Sequence, residues 1–161
     1  MIKTIFAITA LAAFSGLLPG QQLANKKGVT LEIAKKIAAA AEAEAVKNKF
    51  TMFITVMDDT GIPIYIEKMD ETQLASYEIS VGKARTALFF KRPTKALEDA
   101  VAGGRNAVLS LPATVVEGGM PLTADGKIIG SVGCSGGTSP QDAQVCQAAV
   151  TAFDAIVKGG K

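Results

Sequence analysis

The chain has 161 residues, enough for one domain with a real core, and its 48% hydrophobic and 20% charged residues are a globular rather than a disordered composition. A net charge of +2, with the lysines spread along the chain and not gathered in a block, leaves no electrostatic footprint for a nucleic-acid partner. Histidine is absent, which removes the commonest metal ligand and general base, and with them the usual zinc, Ser-His-Asp and Cys-His sites.

Residues 1–24 read as an export signal. Lys3 supplies the positive start, and Ile5 to Leu18 is an apolar run too short to span a bilayer. Pro19 and Gly20 then break the helix. Gly20 and Ala24 each qualify as its last residue, and the expected location is periplasmic or secreted. A buried N-terminal helix or an uncleaved anchor is the alternative.

Residues 25–161 read as one domain. After a polar linker, Thr30 is placed to cap a helix running to about Lys49, with Glu32 in its first turn and Leu31, Ile33, Ala34, Ile37, Ala38, Ala41 and Ala45 at helical spacing. The alanines imply close packing on a sheet. Thr51 to Met57 is a strand, Asp58-Asp59-Thr60-Gly61 a hairpin turn, and Ile62 to Lys68 the return strand, with Ile62, Ile64 and Ile66 on one face. Pro63 cannot donate to a ladder and belongs early in the strand or at an edge.

A long helix is expected from about Leu74 to Phe90, with Tyr77, Val81, Ala84 and Leu88 in a stripe and Pro93 as its stop. Thr94 caps a shorter helix to about Val101, ended by Gly103-Gly104. Asn106 to Val116 reads either as a short strand or as an extended loop. Met120 to Thr123 and Ile128 to Cys134 flank a second hairpin with an Asp125-Gly126 turn. Ser139 caps the last helix, with Pro140 at its first position and Asp142 as an Asp variant of the capping box. Ala143, Cys146, Ala149, Val150, Phe153 and Val157 form that helix's buried face. The order α-β-β-α-α-β-β-α makes an α+β domain, an antiparallel sheet covered by helices.

Two glycine-rich segments stand out. Gly133-Cys134-Ser135-Gly136-Gly137 joins a strand to a helix N-terminus, where backbone N–H groups and the helix dipole suit a carboxylate, a phosphate or a heme propionate. Gly118-Gly119-Met120-Pro121 also permits close approach of a ligand or another backbone. A tight turn that needs glycines explains the first segment at least as well, and a packed corner or a subunit contact is the alternative for the second. Lys83 and Arg85 lie on different faces of the second helix. One of the two is a candidate to neutralise an acidic ligand, with a solvated helix face as the alternative.

Asp58, Asp59 and Asp70 offer at most a weak cation site, and turn chemistry already explains the first two. Cys134 and Cys146, an even count in an exported chain, permit a disulfide tying a strand end to the following helix. Two buried free thiols are the alternative. A heme iron would need an axial ligand chosen from Met57, Met69, Met120, Tyr65, Tyr77 and Cys134, and spacing selects none of them. There is no strong nucleophile–base pair and no paired-carboxylate site, so the residues lean away from an enzyme.

Several motifs recur together. Val56-Met57-Asp58-Asp59-Thr60-Gly61, Lys68-Met69-Asp70, Lys83-Ala84-Arg85-Thr86-Ala87 with Pro93-Thr94, Gly118 to Leu122, Asp125-Gly126, Ile129-Gly130, Gly133 to Gly137 and Asp142 resemble, in order and spacing, the GlcG/HbpS heme-binding-protein family. The resemblance covers about Thr30 to Phe153.

It implies an α/β sandwich related to profilin and PAS-like folds, and homodimers or larger assemblies such as octamers. It also implies heme binding, and for exported relatives redox sensing beside a membrane kinase. Other relatives resemble GlcG of glycolate-use operons and the C-terminal domain of the PduO corrinoid adenosyltransferase, and some are described as heme-degrading. The family's histidine ligands have no counterpart here. A heme would then sit in an apolar groove, with propionates on basic groups. Competing expectations are a binding module or enzyme for a small carboxylate such as a glycolate-type hydroxy acid, held at Ser135-Gly136-Gly137, and a structural or interaction domain without a small ligand.

Overall fold

The computed structural model describes residues 26–160. The expected export signal at residues 1–24 lies outside them. Among the described residues no helix is long and apolar enough to cross a membrane.

The elements are α1 (Leu31–Lys47), β1 (Phe53–Asp58), β2 (Pro63–Lys68), α2 (Ser76–Phe89), α3 (Lys95–Ala102), a 3-10 turn (Asn106–Ser110), β3 (Gly119–Ala124), β4 (Lys127–Ser135) and α4 (Ser139–Gly159). Four strands form one antiparallel sheet in the order β2-β1-β4-β3. The central strands β1 and β4 are buried along most of their length. The edges fall to β2 and β3, the two strands that contain proline, because a residue without an N–H is tolerated where no neighbour needs it.

Helices cover both faces. Ile54, Val56, Val132 and Cys134, alternate residues of the central strands, pack with the alanine-rich stripe of α1 and with Val145, Ala149 and Phe153 of α4. Met57 faces the other way, against Val81 and Ala84 of α2. On that second face Thr55 Oγ1 and Ser80 Oγ are 2.8 Å apart. The period of two along each strand thus separates a larger α1–α4 core from a thinner α2 core.

Several expectations need correction. Asn106 to Val116 is neither strand nor extended loop throughout, since it begins as a 3-10 turn. Ile62 lies in the β1–β2 turn with its side chain exposed, and Ile64 and Ile66 pack in different clusters. A register shift between Val56 and Met57 breaks the alternation on which a shared face depends. Thr94 does not cap α3 with its side chain; its hydroxyl accepts from Gly119 N at 2.9 Å instead. The cap of α4 is Thr138, one residue earlier than Ser139. The reciprocal side chain is Gln141, whose Oε1 accepts from Thr138 N at 2.9 Å, and this releases Asp142 for another role.

Both hairpin turns follow from their residues. Asp125 and Gly126 both take positive φ, 49° and 75°, as a two-residue hairpin of this hand requires. In the first turn Asp58 Oδ1 accepts from Thr60 N (2.8 Å), Thr60 Oγ1 (2.7 Å) and Ile62 N (3.0 Å). Burial pushes the Asp58 carboxyl up, but the Thr60 hydroxyl and the backbone N–H groups outweigh it and hold it below the usual aspartate value. A carboxyl lowered by folding contributes stability that is present above its unfolded pKa and is lost as pH falls through the folded one. Asp58→Ala is expected to cost about 1–2 kcal/mol in urea unfolding at neutral pH. The gap between wild type and variant should close below about pH 4, where aspartate protonates. A gap unchanged in acid would rule this linkage out.

Candidate functional site

The glycine signature converges on a buried ion pair. Lys83 extends from α2 and is 1% exposed along its side chain; Asp142 opens α4 and is 4% exposed. Lys83 Nζ donates to Asp142 Oδ2 at 2.5 Å and to the Cys134 carbonyl at 3.1 Å. The second carboxylate oxygen, Asp142 Oδ1, accepts from Gly136 N at 3.0 Å and Gly137 N at 2.9 Å. Burial holds the Asp142 carboxyl above the usual aspartate range, against the downward pull of Lys83 and of the Gly137 and Gly136 amides.

This geometry changes the meaning of the strand-to-helix loop. Its amides do hold a carboxylate, as expected of N–H groups at a helix start, but the carboxylate belongs to the chain's own Asp142. The loop therefore offers no free amide pair at Gly136 and Gly137 for a small acid. Ser135 is buried at the end of β4.

Gly118 and Gly119 are closed in the same way. Gly118 has φ +115°, and a Cβ there would lie 2.8 Å from the Asp142 Cβ and 3.0 Å from Lys83 Nζ. A Cβ on Gly119 would run into the Lys83 carbonyl. These glycines let α2 lie directly on the sheet, the packed-corner reading of the motif. Pro121 sits two residues along β3, opposite Ser131. Cys134 and Cys146 are joined as a disulfide, with Cα atoms 5.6 Å apart, beside the Gly118 carbonyl.

The structure thus brings together Lys83, Gly118, Gly119, Gly136, Gly137 and both cysteines, and leaves Arg85 exposed on the outer face of α2. Lys83 is not a solvated-face lysine, because its charge is met inside the protein. The sequence reading missed Asp142 as its partner by assigning that residue to the helix cap. The signal was present in the alternative cap, a Thr followed three residues later by Gln.

Open space lies elsewhere. A cleft of about 570 Å³ is bounded by the lysines Lys26, Lys27 and Lys127, by Asp59 and Asp125, and by apolar residues that include Ile128 and Ile129, and a smaller one of about 300 Å³ adjoins it at Asp59 and Ile128, walled by Leu88, Phe89 and Lys91. A third, of about 510 Å³, is lined by Glu42, Glu67, Lys68, Met69 and Asp70. Sequence reasoning found none of the three.

The profile of the family described as "Haem degrading protein HbpS-like" matches residues 29–151. The chain belongs to the HbpS-like family. GlcG of Escherichia coli K12 is 44% identical over 105 residues, which are 65% of this chain and 78% of that protein. Among solved structures, the Klebsiella pneumoniae protein ORFY superposes with a TM-score of 0.77 at 32% identity, over 87% of this chain and 99% of that one. The structure of a PduOC:heme complex superposes with a TM-score of 0.71 at 27% identity, over 78% of this chain and 95% of that one. The expected fold, an antiparallel sheet covered by helices, is the one these HbpS-like and ORFY structures share.

The donor set of this HbpS-like chain does not fit a heme anchored through its iron. Met57 is fully buried under α2. Met120 is half-buried against the α1–α4 core; Met69 is half-buried there and lines the third cleft, where Glu42, Glu67 and Asp70 oppose heme propionates; and Cys134 is in the disulfide. The Tyr65 hydroxyl donates to Glu67 Oε2 at 3.0 Å, and that bond, with burial, holds the phenol above its ordinary pKa, away from the phenolate an iron would need. Of the six candidates Tyr77 alone is exposed, with its ring edge-on to Phe53 at 5.8 Å. Among the described residues no three His, Cys, Asp or Glu side chains gather as a metal site.

Removing one member of a buried ion pair leaves an uncompensated charge, so Asp142→Ala is expected to cost about 3–5 kcal/mol in denaturant unfolding. The Lys83→Met, Asp142→Ala double variant should recover part of that loss. A double variant no more stable than Asp142→Ala would show that the two charges are not coupled.

Proposed function

We propose that this HbpS-like chain is an exported, oligomeric binding protein for heme or a similar tetrapyrrole. The observation that carries the reading is family membership over residues 29–151, together with a relative of the same fold solved as a heme complex. The two adjoining clefts support it, because they combine an apolar floor with a rim on which four lysines, Lys26, Lys27, Lys91 and Lys127, outnumber two aspartates, Asp59 and Asp125, as a tetrapyrrole with carboxylate side chains requires. Export is supported by Lys3 and the Ile5–Leu18 run, and by a disulfide, a bond that persists in oxidising compartments. Self-association, and a membrane sensor as partner, come from the family resemblance.

A site for a small hydroxy acid at Ser135-Gly136-Gly137 is disfavoured by the Asp142 carboxylate already held there.

Titration of the purified chain with hemin should produce a saturable Soret shift. Light scattering of the same sample should report a species larger than one chain. Mass spectrometry of the exported product should find the N-terminal segment removed after Gly20 or Ala24. Absence of a saturable shift would overturn the heme reading. A monomer, or a retained N-terminus, would overturn oligomerisation or export separately.

A further inference from the structure

The heme reading names no seat for the tetrapyrrole, and among the described residues none of its six candidate iron ligands lines the two lysine-bearing clefts at the hairpin end. Resting on that reading, we propose that its carboxylates are held by Lys26, Lys27 and Lys127 at the hairpin end of the sheet, with its ring over Ile128 and Phe89, and that binding there does not depend on the iron.

The topology builds this end of the molecule. Antiparallel pairing sets Asp58 opposite Gly130, so both hairpin turns, at Asp58–Ile62 and Ala124–Lys127, lie at the same end of the sheet. The residues before α1 cross that end. Lys26 Nζ lies 3.2 Å from Asp59 Oδ2, and Lys27 Nζ lies 2.6 Å from Asp125 Oδ2. Both lysines are more than two-thirds exposed, though Asp59 and Asp125 are 27% and 42% exposed, so solvent screens the lysine side of each pair and a ligand's carboxylates can compete for it. Lys127, also exposed, completes the rim.

The apolar part is continuous with it. Ala124 and Ile129 are buried in the floor of the larger cleft, and Ile128 is shared with the smaller one. Beyond Ile128 stand Leu88 and Phe89, the latter 59% exposed, with Lys91 beside them. Exposed Ile62 lies in the adjoining turn, where Gly61 meets the Phe89 ring. Phe89 and Ile62 thus leave apolar surface open beside Lys91. A flat, largely apolar ligand with carboxylates along one edge matches both parts. The larger cleft alone is in the usual range for a small-molecule site.

Charge and donor chemistry exclude the other places. The third cleft is lined by Met69, a candidate iron ligand, but its three carboxylates, Glu42, Glu67 and Asp70, outnumber its one lysine, Lys68, and would repel a ligand's carboxylates. Tyr77 lies by Phe53 at the opposite end of the sheet. None of the candidate iron ligands lines the hairpin-end clefts, so the contacts left to the ligand are its carboxylates and its ring.

The test titrates the full chain in parallel with hemin and with metal-free protoporphyrin IX, following absorbance and porphyrin fluorescence. The two dissociation constants are expected to agree within about threefold. The Lys26→Gln, Lys27→Gln, Lys127→Gln triple variant should weaken both by about tenfold, and added salt should narrow that difference. Phe89→Asp, an exposed position that leaves the core intact, should weaken both as well. Tyr77→Phe should change neither, and circular dichroism should show all variants folded.

If the wild type binds neither ligand, the tetrapyrrole reading itself falls. If it binds hemin but the lysine and Phe89 variants bind as the wild type does, the location falls and the reading stands. Hemin binding without porphyrin binding, or loss of hemin binding in Tyr77→Phe, would overturn iron independence and place the ligand on an iron contact.

Discussion

The Lys83–Asp142 ion pair is the constraint on which the arrangement of the helices rests. Lys83 belongs to α2, which covers one face of the sheet, and Asp142 begins α4, which covers the other. Their side chains meet around the end of β4, where Lys83 also takes the Cys134 carbonyl and Asp142 takes the amides of the loop that leaves the strand. A charge in so dry a place is tolerable only when each lone pair and proton has a partner, and here the partners come from α2, β4, the following loop and α4 at once. Displacing any of them leaves a buried charge partly unmet, so the pair sets where α4 starts and how far α2 slides along the sheet.

The glycines follow from that constraint. For a lysine on α2 to reach Asp142, the helix backbone must lie almost on the strands. Gly119 and Gly133 supply the space, since a Cβ at either would collide with α2 backbone atoms. Small residues on the helix, Ser80 and Ala84 among them, match them from above. The disulfide between Cys134 and Cys146 adds a covalent tie between the same strand end and α4. A glycine signature that looks like a ligand loop is thus the sign of a tightly closed joint, and its spacing is what α2, β4 and α4 need in order to meet.

The polar chemistry of this joint is inward, whereas the hairpin end of the sheet keeps its charges at the surface. There the turns need polar residues and the N-terminal approach brings lysines, while Phe89 and Ile128 remain uncovered. The two ends differ in kind: one holds a buried ion pair, the other exposed lysines and aspartates beside open clefts. Exposed pairs such as Lys26–Asp59 exchange readily, whereas Lys83–Asp142 does not, because burial removes the water that would compete for either partner.

Local chemistry was readable without coordinates wherever it depends on neighbours in sequence. The helix stripe from Ala34 to Ala45, the Asp-Gly turn at residues 125–126, the proline-bearing edge strand and the eight-element order all follow from periodicity and turn residues. The motif set from Val56 to Asp142 likewise identified the family. Whatever depends on distant neighbours was not readable. The cap of α4 lies at Thr138 and not Ser139, and the residue thereby released pairs with a lysine 59 positions away. Gly136 and Gly137 looked open because no local pattern reveals that the chain's own carboxylate fills their amides. Ile64 and Ile66 part company because a register shift cannot be seen from one strand alone. The sequence by itself determined the elements, their order and the family, since these rest on contacts within a few residues. Only the tertiary structure decided which charges are buried and which remain available to a ligand, because burial is a property of the packed helices and sheet together.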